Sequence, residues 1–148
     1  WPLLLEKVPD TKLRLAGREM PEWLLNFKEN GVEILGEVDD ATLFLRSGNI
    51  SIAPLFSGSG IRIKILESMS MGMAVVSTSI GAEGIDYQAG KNILIADTAI
   101  EFANTLHFLL ESPEEASQIG LHARQLIAEK YNTGSVIRQL ITFYKEIL

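Results

Sequence analysis

The chain has 148 residues, 13 Lys plus Arg against 19 Asp plus Glu, a formal net charge of −6, and no cysteine. That length fits one domain with a sizeable core, and the missing cysteine excludes disulfides, thiolate metal sites and cysteine nucleophiles from these residues. The acidic balance, without a basic stripe, argues against a nucleic-acid partner, and no apolar run approaches the roughly 18 residues of a membrane span.

Residues 1–9 read as a short helix with Leu3, Leu4 and Val8 on its apolar face. No strand precedes it, although a βα unit begins with one. Residues 12–17 alternate polar and apolar and stop at Gly17, the pattern of a strand. Residues 21–30 read as a helix, with Pro21 in the first turn and Gly31 past the end. Residues 32–36 form a second strand, and Asp39 or Asp40 caps a helix running to Ser47. A third strand spans 50–55 and a fourth 74–78. Between them lie Ser57, Gly58, Ser59 and Gly60, then a helix with Glu67 about two turns in. Met69, Met71 and Met73 on and after that helix read as core packing. A fifth strand spans 92–96, and Asp97 or Thr98 caps a helix to about Leu110. Ser112-Pro113-Glu114-Glu115 opens another helix, to about Tyr131. Gly134 and Ser135 punctuate, and a last amphipathic helix runs to Leu148. His107 and His122 read as ordinary helix residues, because no acidic cluster beside them has metal-ligand spacing.

Strict alternation of strands and helices implies an α/β, Rossmann-like parallel sheet with helices on both faces. Such sheets bind ligands beyond the carboxyl ends of their strands. Three loops fall there: Gly17-Arg18, Gly36-Glu37-Val38, and residues 57–60. The last is a small-residue loop opening a helix, where free N–H groups and the helix dipole favour an anion. Glycine at Gly58 and Gly60 removes side chains that would hold a phosphate away, although the pair also suits a plain tight turn. Arg62 lies in the first turn beside that anion site. Lys64 and Glu67 stand three apart, so a solvated ion pair is the alternative to ligand contact. Arg18 suits a phosphate partner or a surface charge, and Glu83 a sugar contact or a solvated loop acid.

The ordered pieces Leu13-Arg14-Leu15-Ala16-Gly17, Val32-Glu33-Ile34-Leu35-Gly36-Glu37-Val38, Pro54-Leu55, Gly58-Ser59-Gly60-Ile61-Arg62-Ile63-Lys64-Ile65-Leu66-Glu67, Met71-Gly72, Val75-Val76-Ser77-Thr78 and Gly81-Ala82-Glu83-Gly84 carry a resemblance. Together they resemble the C-terminal, donor-binding half of the GT-B-type retaining glycosyltransferases called glycosyltransferase group 1. The resemblance implies one nucleotide-sugar-binding domain over residues 1–148, with a separate N-terminal domain for the acceptor sugar, lipid or protein. Glu67 would then bind the ribose hydroxyls. The backbone of Gly58, Ser59, Gly60, Ile61 and Arg62 would face the diphosphate and donor sugar. The backbone near Glu37 and Val38 would meet the base, and Gly17 would let the chain approach the ligand closely. The family often carries two glutamates separated by seven residues; Glu67 matches the second, and the first falls on Ser59. With no carboxylate there beside Arg62, an acidic donor sugar is conceivable.

The implied reaction moves a sugar from a nucleoside diphosphate to an acceptor with retention, by front-face attack and without a protein nucleophile. Preorganised N–H groups and Arg62 would stabilise the leaving diphosphate, with no cofactor and no metal. The resemblance further implies that the chain is a fragment lacking the acceptor domain and an opening mid-sheet strand, and is inactive alone. By family analogy the full enzyme is cytoplasmic, with peripheral association at the inner face of a membrane, in pathways building polysaccharide or glycoconjugates. Two rival readings are a nucleotide-sugar epimerase of the same fold and a non-catalytic α/β module.

Overall fold

Strand β4 (Ala74–Ser77) is buried along its whole length. Alternate side chains on a strand point to opposite faces, and β4 feeds two clusters accordingly. Val75 packs with Ile65, Met69, Ala82, Ile85, Ile93, Ala123 and Leu126. Ala74 and Val76 pack with Ala96, Phe102, Leu109 and Ile119. β4 pairs in parallel with β3 (Ile50–Ala53) on one side and β5 (Leu94–Ile95) on the other. One face is covered by α4 (Ile63–Ser70) and α6 (Pro113–Lys130), the other by α5 (Ala99–Glu111) with the Ile119 side of α6. The computed structural model describes residues 1–147, so the last residue of the helix expected to reach Leu148 lies outside the described residues.

The alternation of strands and helices and the parallel pairing agree with expectation, but the sheet is divided. β1 (Leu13–Ala16) and β2 (Val32–Gly36) form their own parallel pair, and among the described residues no backbone ladder joins them to β3–β4–β5. Each of β1 and β3 therefore has one edge without a strand beside it. The two parts meet through side chains instead: Arg14 Nη1 donates to Ser47 O at 3.3 Å and to its Oγ at 3.2 Å. The short helix α1 (Pro2–Leu5) also packs on α5, burying Leu4. Apart from Leu4, every buried hydrophobic residue among those described lies between Ile65 and Leu126.

That imbalance explains the largest local departure. The helix expected over 21–30 is reduced to α2 (Glu22–Leu25). Trp23, Leu25 and Phe27 stay exposed, so no buried stripe sustains further turns, and Asn26 turns its Nδ2 back to Glu22 O at 2.9 Å. The next helix, α3 (Ala41–Arg46), is capped by Asp40 rather than Asp39, its Oδ1 accepting from Thr42 N and Leu43 N.

Thr98, not Asp97, caps α5, in a reciprocal box with Glu101. Asp97 instead accepts from Ser79 N at 2.7 Å and Ser79 Oγ at 2.9 Å, which fixes the loop after β4. Gly134 and Ser135 do not interrupt the chain; they lie in the first turn of α7 (Thr133–Ile147). The break falls at Asn132, whose Oδ1 accepts from Ser135 N at 2.9 Å. Met69 and Met73 are core residues, and Met71 is half-buried.

Candidate functional site

The chain leaves β3 at Ala53 and passes through an exposed loop before α4 begins at Ile63. Gly58 (φ +118°) and Gly60 (φ +83°) hold backbone conformations that L side chains disfavour, which is why this loop is built on glycine. The guanidinium of Arg62 folds back under it. Its Nη1 donates to Ser59 O and, at 3.0 Å, to Gly60 O. This contact draws the loop's carbonyls toward Arg62. Among the described residues, none accepts a hydrogen bond from the backbone N–H groups of residues 58–64. Arg62, the residue before α4, offers no side-chain cap to those N–H groups either. A run of free donors at a helix start suits an anion.

On α4, Glu67 is half-buried and Lys64 exposed. Lys64 Nζ donates to Glu67 Oε2 at 2.7 Å, so the ion pair exists. The other carboxylate oxygen has no partner among the described residues. Ser68 anchors the helix below, sharing a 2.9 Å hydrogen bond with Ser51 on β3.

The loops after β1 and β2 meet each other. Gly17 N donates to Gly36 O at 2.8 Å, and Arg18 Nε pairs with Glu37 Oε1 at 2.7 Å. Val38 is half-buried beside them. No hydrogen bond or ion pair among the described residues links this group to residues 57–67. The structure thus places the expected residues in two clusters: Gly17, Arg18, Glu37 and Val38 at one sheet, and Gly58, Ser59, Gly60, Ile61, Arg62, Lys64 and Glu67 at the other.

An open crevice of about 380 Å³ lies beside the glycine loop, lined by Ser57, Gly58, Ser79, Ile80 and Glu83. The loops after β3 and β4 form it, and those after β1 and β2 do not line it. Ser79 and Ile80 carry no signal of their own in the sequence, and Glu83 reads there more readily as a solvated loop acid than as a sugar contact. The available signal was parallel pairing of β3 with β4, which brings their carboxyl ends, and the loops after them, to one side. Among the described residues no group of His, Asp and Glu is arranged to hold a metal ion.

Comparison with known proteins gives the chain its relatives. A phosphatidyl-myo-inositol mannosyltransferase of Mycolicibacterium smegmatis is 27% identical over 155 residues, covering 99% of this chain and 39% of that protein. The fold matches Anabaena HepE, solved with UDP, at a TM-score of 0.79 and 17% identity, covering 98% of this chain and 44% of that one. It also matches the C-terminal domain of the glycosyl transferase group 1 family protein LpcC from Francisella tularensis, at a TM-score of 0.72 and 19% identity, over 88% of this chain and 75% of that domain. The chain thus has the fold of a GT-B C-terminal domain, and it spans about two fifths of the length of the mannosyltransferase. The model of the family described as "Glycosyl transferases group 1" matches residues 1–112, and the chain belongs to that family.

Proposed function

We propose that these residues are the donor-binding part of a retaining glycosyltransferase that uses a nucleoside-diphosphate sugar. The observation that carries the reading is the run of unpartnered N–H groups over residues 58–64, at the start of α4 and beside an open crevice. The β-phosphate of the donor sits on these dipoles, and Arg62 turns from the Ser59 and Gly60 carbonyls to the diphosphate. Glu67 accepts the ribose hydroxyls while Lys64 holds its other oxygen. That HepE, whose fold this chain matches, was solved in complex with UDP supports a nucleotide ligand.

In the reaction, the bond between the anomeric carbon and the β-phosphate oxygen breaks. The acceptor hydroxyl oxygen attacks from the same face, and its proton passes to the departing phosphate oxygen. This chain's part is to stabilise the charge that grows on the diphosphate, with dipoles fixed before the reaction. The acceptor and the water-excluding closure belong to other parts of the protein. A further parallel strand between the free edges of β1 and β3 would join the two sheets and cover the thinly packed first half. The divided sheet and the absence of buried apolar residues between Leu4 and Ile65 support that completion.

The test is a thermal-shift titration of the complete protein with UDP, GDP, ADP and dTDP, with Glu67→Ala as control. A ligand at 100 times its Kd adds about 2.7 kcal/mol. One nucleotide should raise the melting temperature, and Glu67→Ala should lose most of that rise. No shift with any of the four would refute the donor-binding reading. An epimerase would convert a nucleotide sugar without an acceptor; an acceptor requirement separates the two.

A further inference from the structure

Glu83 has no assigned task in the scheme above, yet it stands in the crevice. Its carboxylate has no hydrogen-bonding or ionic partner among the described residues, and it is exposed there.

The backbone that carries it is held firmly. Thr78 Oγ1 donates to Leu55 O and accepts from Gly81 N at 2.9 Å. Ser77 Oγ donates to Ala53 O at 3.1 Å. Ala82 N and Glu83 N donate back to Thr78 O and Ile80 O, at 3.0 and 3.3 Å. At the far side, a Cβ on Gly84 would stand 2.9 Å from Ile61 Cγ1, so the turn presses on the glycine-rich loop itself. The Glu83 backbone is therefore pinned to the end of β3 and to the loop that offers the free N–H groups.

The lining of the crevice identifies a ligand chemistry. Gly58 belongs both to the crevice and to the run of free donors, so an anion seated on those donors extends its substituent into the crevice. There it meets Ser57, Ser79, whose hydroxyl already donates to Asp97 and is left as an acceptor, the carboxylate of Glu83 and the apolar side chain of Ile80. Hydroxyls and a carboxylate suit a polyhydroxylated ring, and Ile80 suits its C–H face. A second phosphate is disfavoured by the charge of Glu83. Resting on the donor-binding reading, we propose that Glu83 accepts hydroxyl hydrogen bonds from the transferred sugar and that its charge selects neutral sugars over acidic ones. The carboxylate that the family pattern places at position 59 is thus supplied from the loop after β4. The acidic donor that Ser59 and Arg62 suggested is disfavoured, since Arg62 is committed to the diphosphate and Glu83 faces the ring.

The experiment uses the complete protein, the nucleotide that binds best among UDP, GDP, ADP and dTDP, its glucose or mannose conjugate, and the matching hexuronate conjugate. Affinities are measured by calorimetry for the unaltered protein, Glu83→Ala and Glu83→Gln. The unaltered protein should bind the hexose conjugate about tenfold or more tightly than the hexuronate, the scale of one hydrogen bond to a charged group. Glu83→Ala should weaken the hexose conjugate by about the same factor while leaving the bare nucleotide within about twofold. Glu83→Gln, which keeps shape and removes charge, should bring the hexose-to-hexuronate ratio close to one. Unchanged hexose affinity in Glu83→Ala would overturn the proposal and leave the donor-binding reading standing. Equal loss for bare nucleotide and conjugate would also overturn it, because Glu83 would then only support the loop. If no nucleotide binds the unaltered protein, both readings fall together.

Discussion

Replacing Glu67 by Gln separates ligand binding from helix stability at one atom. The two side chains have nearly the same shape, and the change removes a charge from a half-buried position on α4. Within the protein, the only partner of that carboxylate among the described residues is Lys64, at 2.7 Å, with the lysine 73% and the glutamate 40% exposed. A helical pair at this spacing contributes about 0.2–0.5 kcal/mol, and exposure trims it further. At this chain length 1 kcal/mol moves the melting temperature by about 3 °C, so Glu67→Gln should melt within about 2 °C of the unaltered protein. Ligand binding is a different matter. A hydrogen bond to a charged acceptor contributes about 1.5–3 kcal/mol, and losing that charge from the ribose diol should weaken the nucleotide by about 10-fold to 150-fold. Calorimetric titration with the nucleotide that binds, beside thermal melts without ligand, reads both quantities. Affinity within about twofold of the unaltered protein would refute the ribose role and leave Lys64–Glu67 as a solvated ion pair. A melting temperature lower by more than about 5 °C would refute the claim that the carboxylate is structurally dispensable.

Gly58→Ala should lower nucleotide affinity, because its Cβ would stand 2.5 Å from Arg62 Nη2 at a φ of +118°; the loop must rebuild at a cost of about 1–3 kcal/mol, and unchanged affinity would show that the observed loop shape is irrelevant to binding. Gly120→Ala should destabilise the fold without any ligand, since its Cβ would meet Gly72 O at 1.9 Å, backbone against backbone; overpacking of this kind costs about 1–3 kcal/mol or more, and a melt that moves by less than about 1 °C would contradict the packing of α6 on the turn before β4. Hydrogen bonds from Lys12 and Arg14 hold the Glu33 carboxyl below its ordinary value of 4.5. A depressed folded-state value means that the stabilisation is present above the unfolded value and is lost as pH falls through the folded one. Glu33→Gln should therefore melt below the unaltered protein at pH 7, and the gap should close on acidification below pH 4.5; a gap that persists at low pH would assign it to packing.

Local chemistry made most of the fold legible. Ser112-Pro113-Glu114-Glu115 opens α6 as expected, with Pro113 as its first residue, and the alternating strand and helix signals place β1 to β4 within a few residues. The misreadings share a cause. Residues 21–30 carry start and stop signals for a long helix, but Trp23 and Phe27 find nothing to pack on, and propensity without burial sustains about one turn. The division of the sheet has no local signal either, because pairing between β1 and β3 is a long-range property that no local pattern encodes; only the family resemblance, through an absent mid-sheet strand, points toward it.

The same limit applies to the site. The glycine loop, Arg62 and Glu67 are neighbours in sequence, so their chemistry could be read from spacing along one loop and one helix. Glu83 is sixteen residues past Glu67 and joins the crevice only because β3 and β4 run parallel and end side by side. Read along the chain, Ser59 is a missing carboxylate; in space, a carboxylate from the loop after β4 stands in the crevice beside that glycine loop. A sugar-binding acid is required to have a position, not a sequence neighbour. Its absence at one motif position therefore says little about donor charge until the loops packed against that position are known.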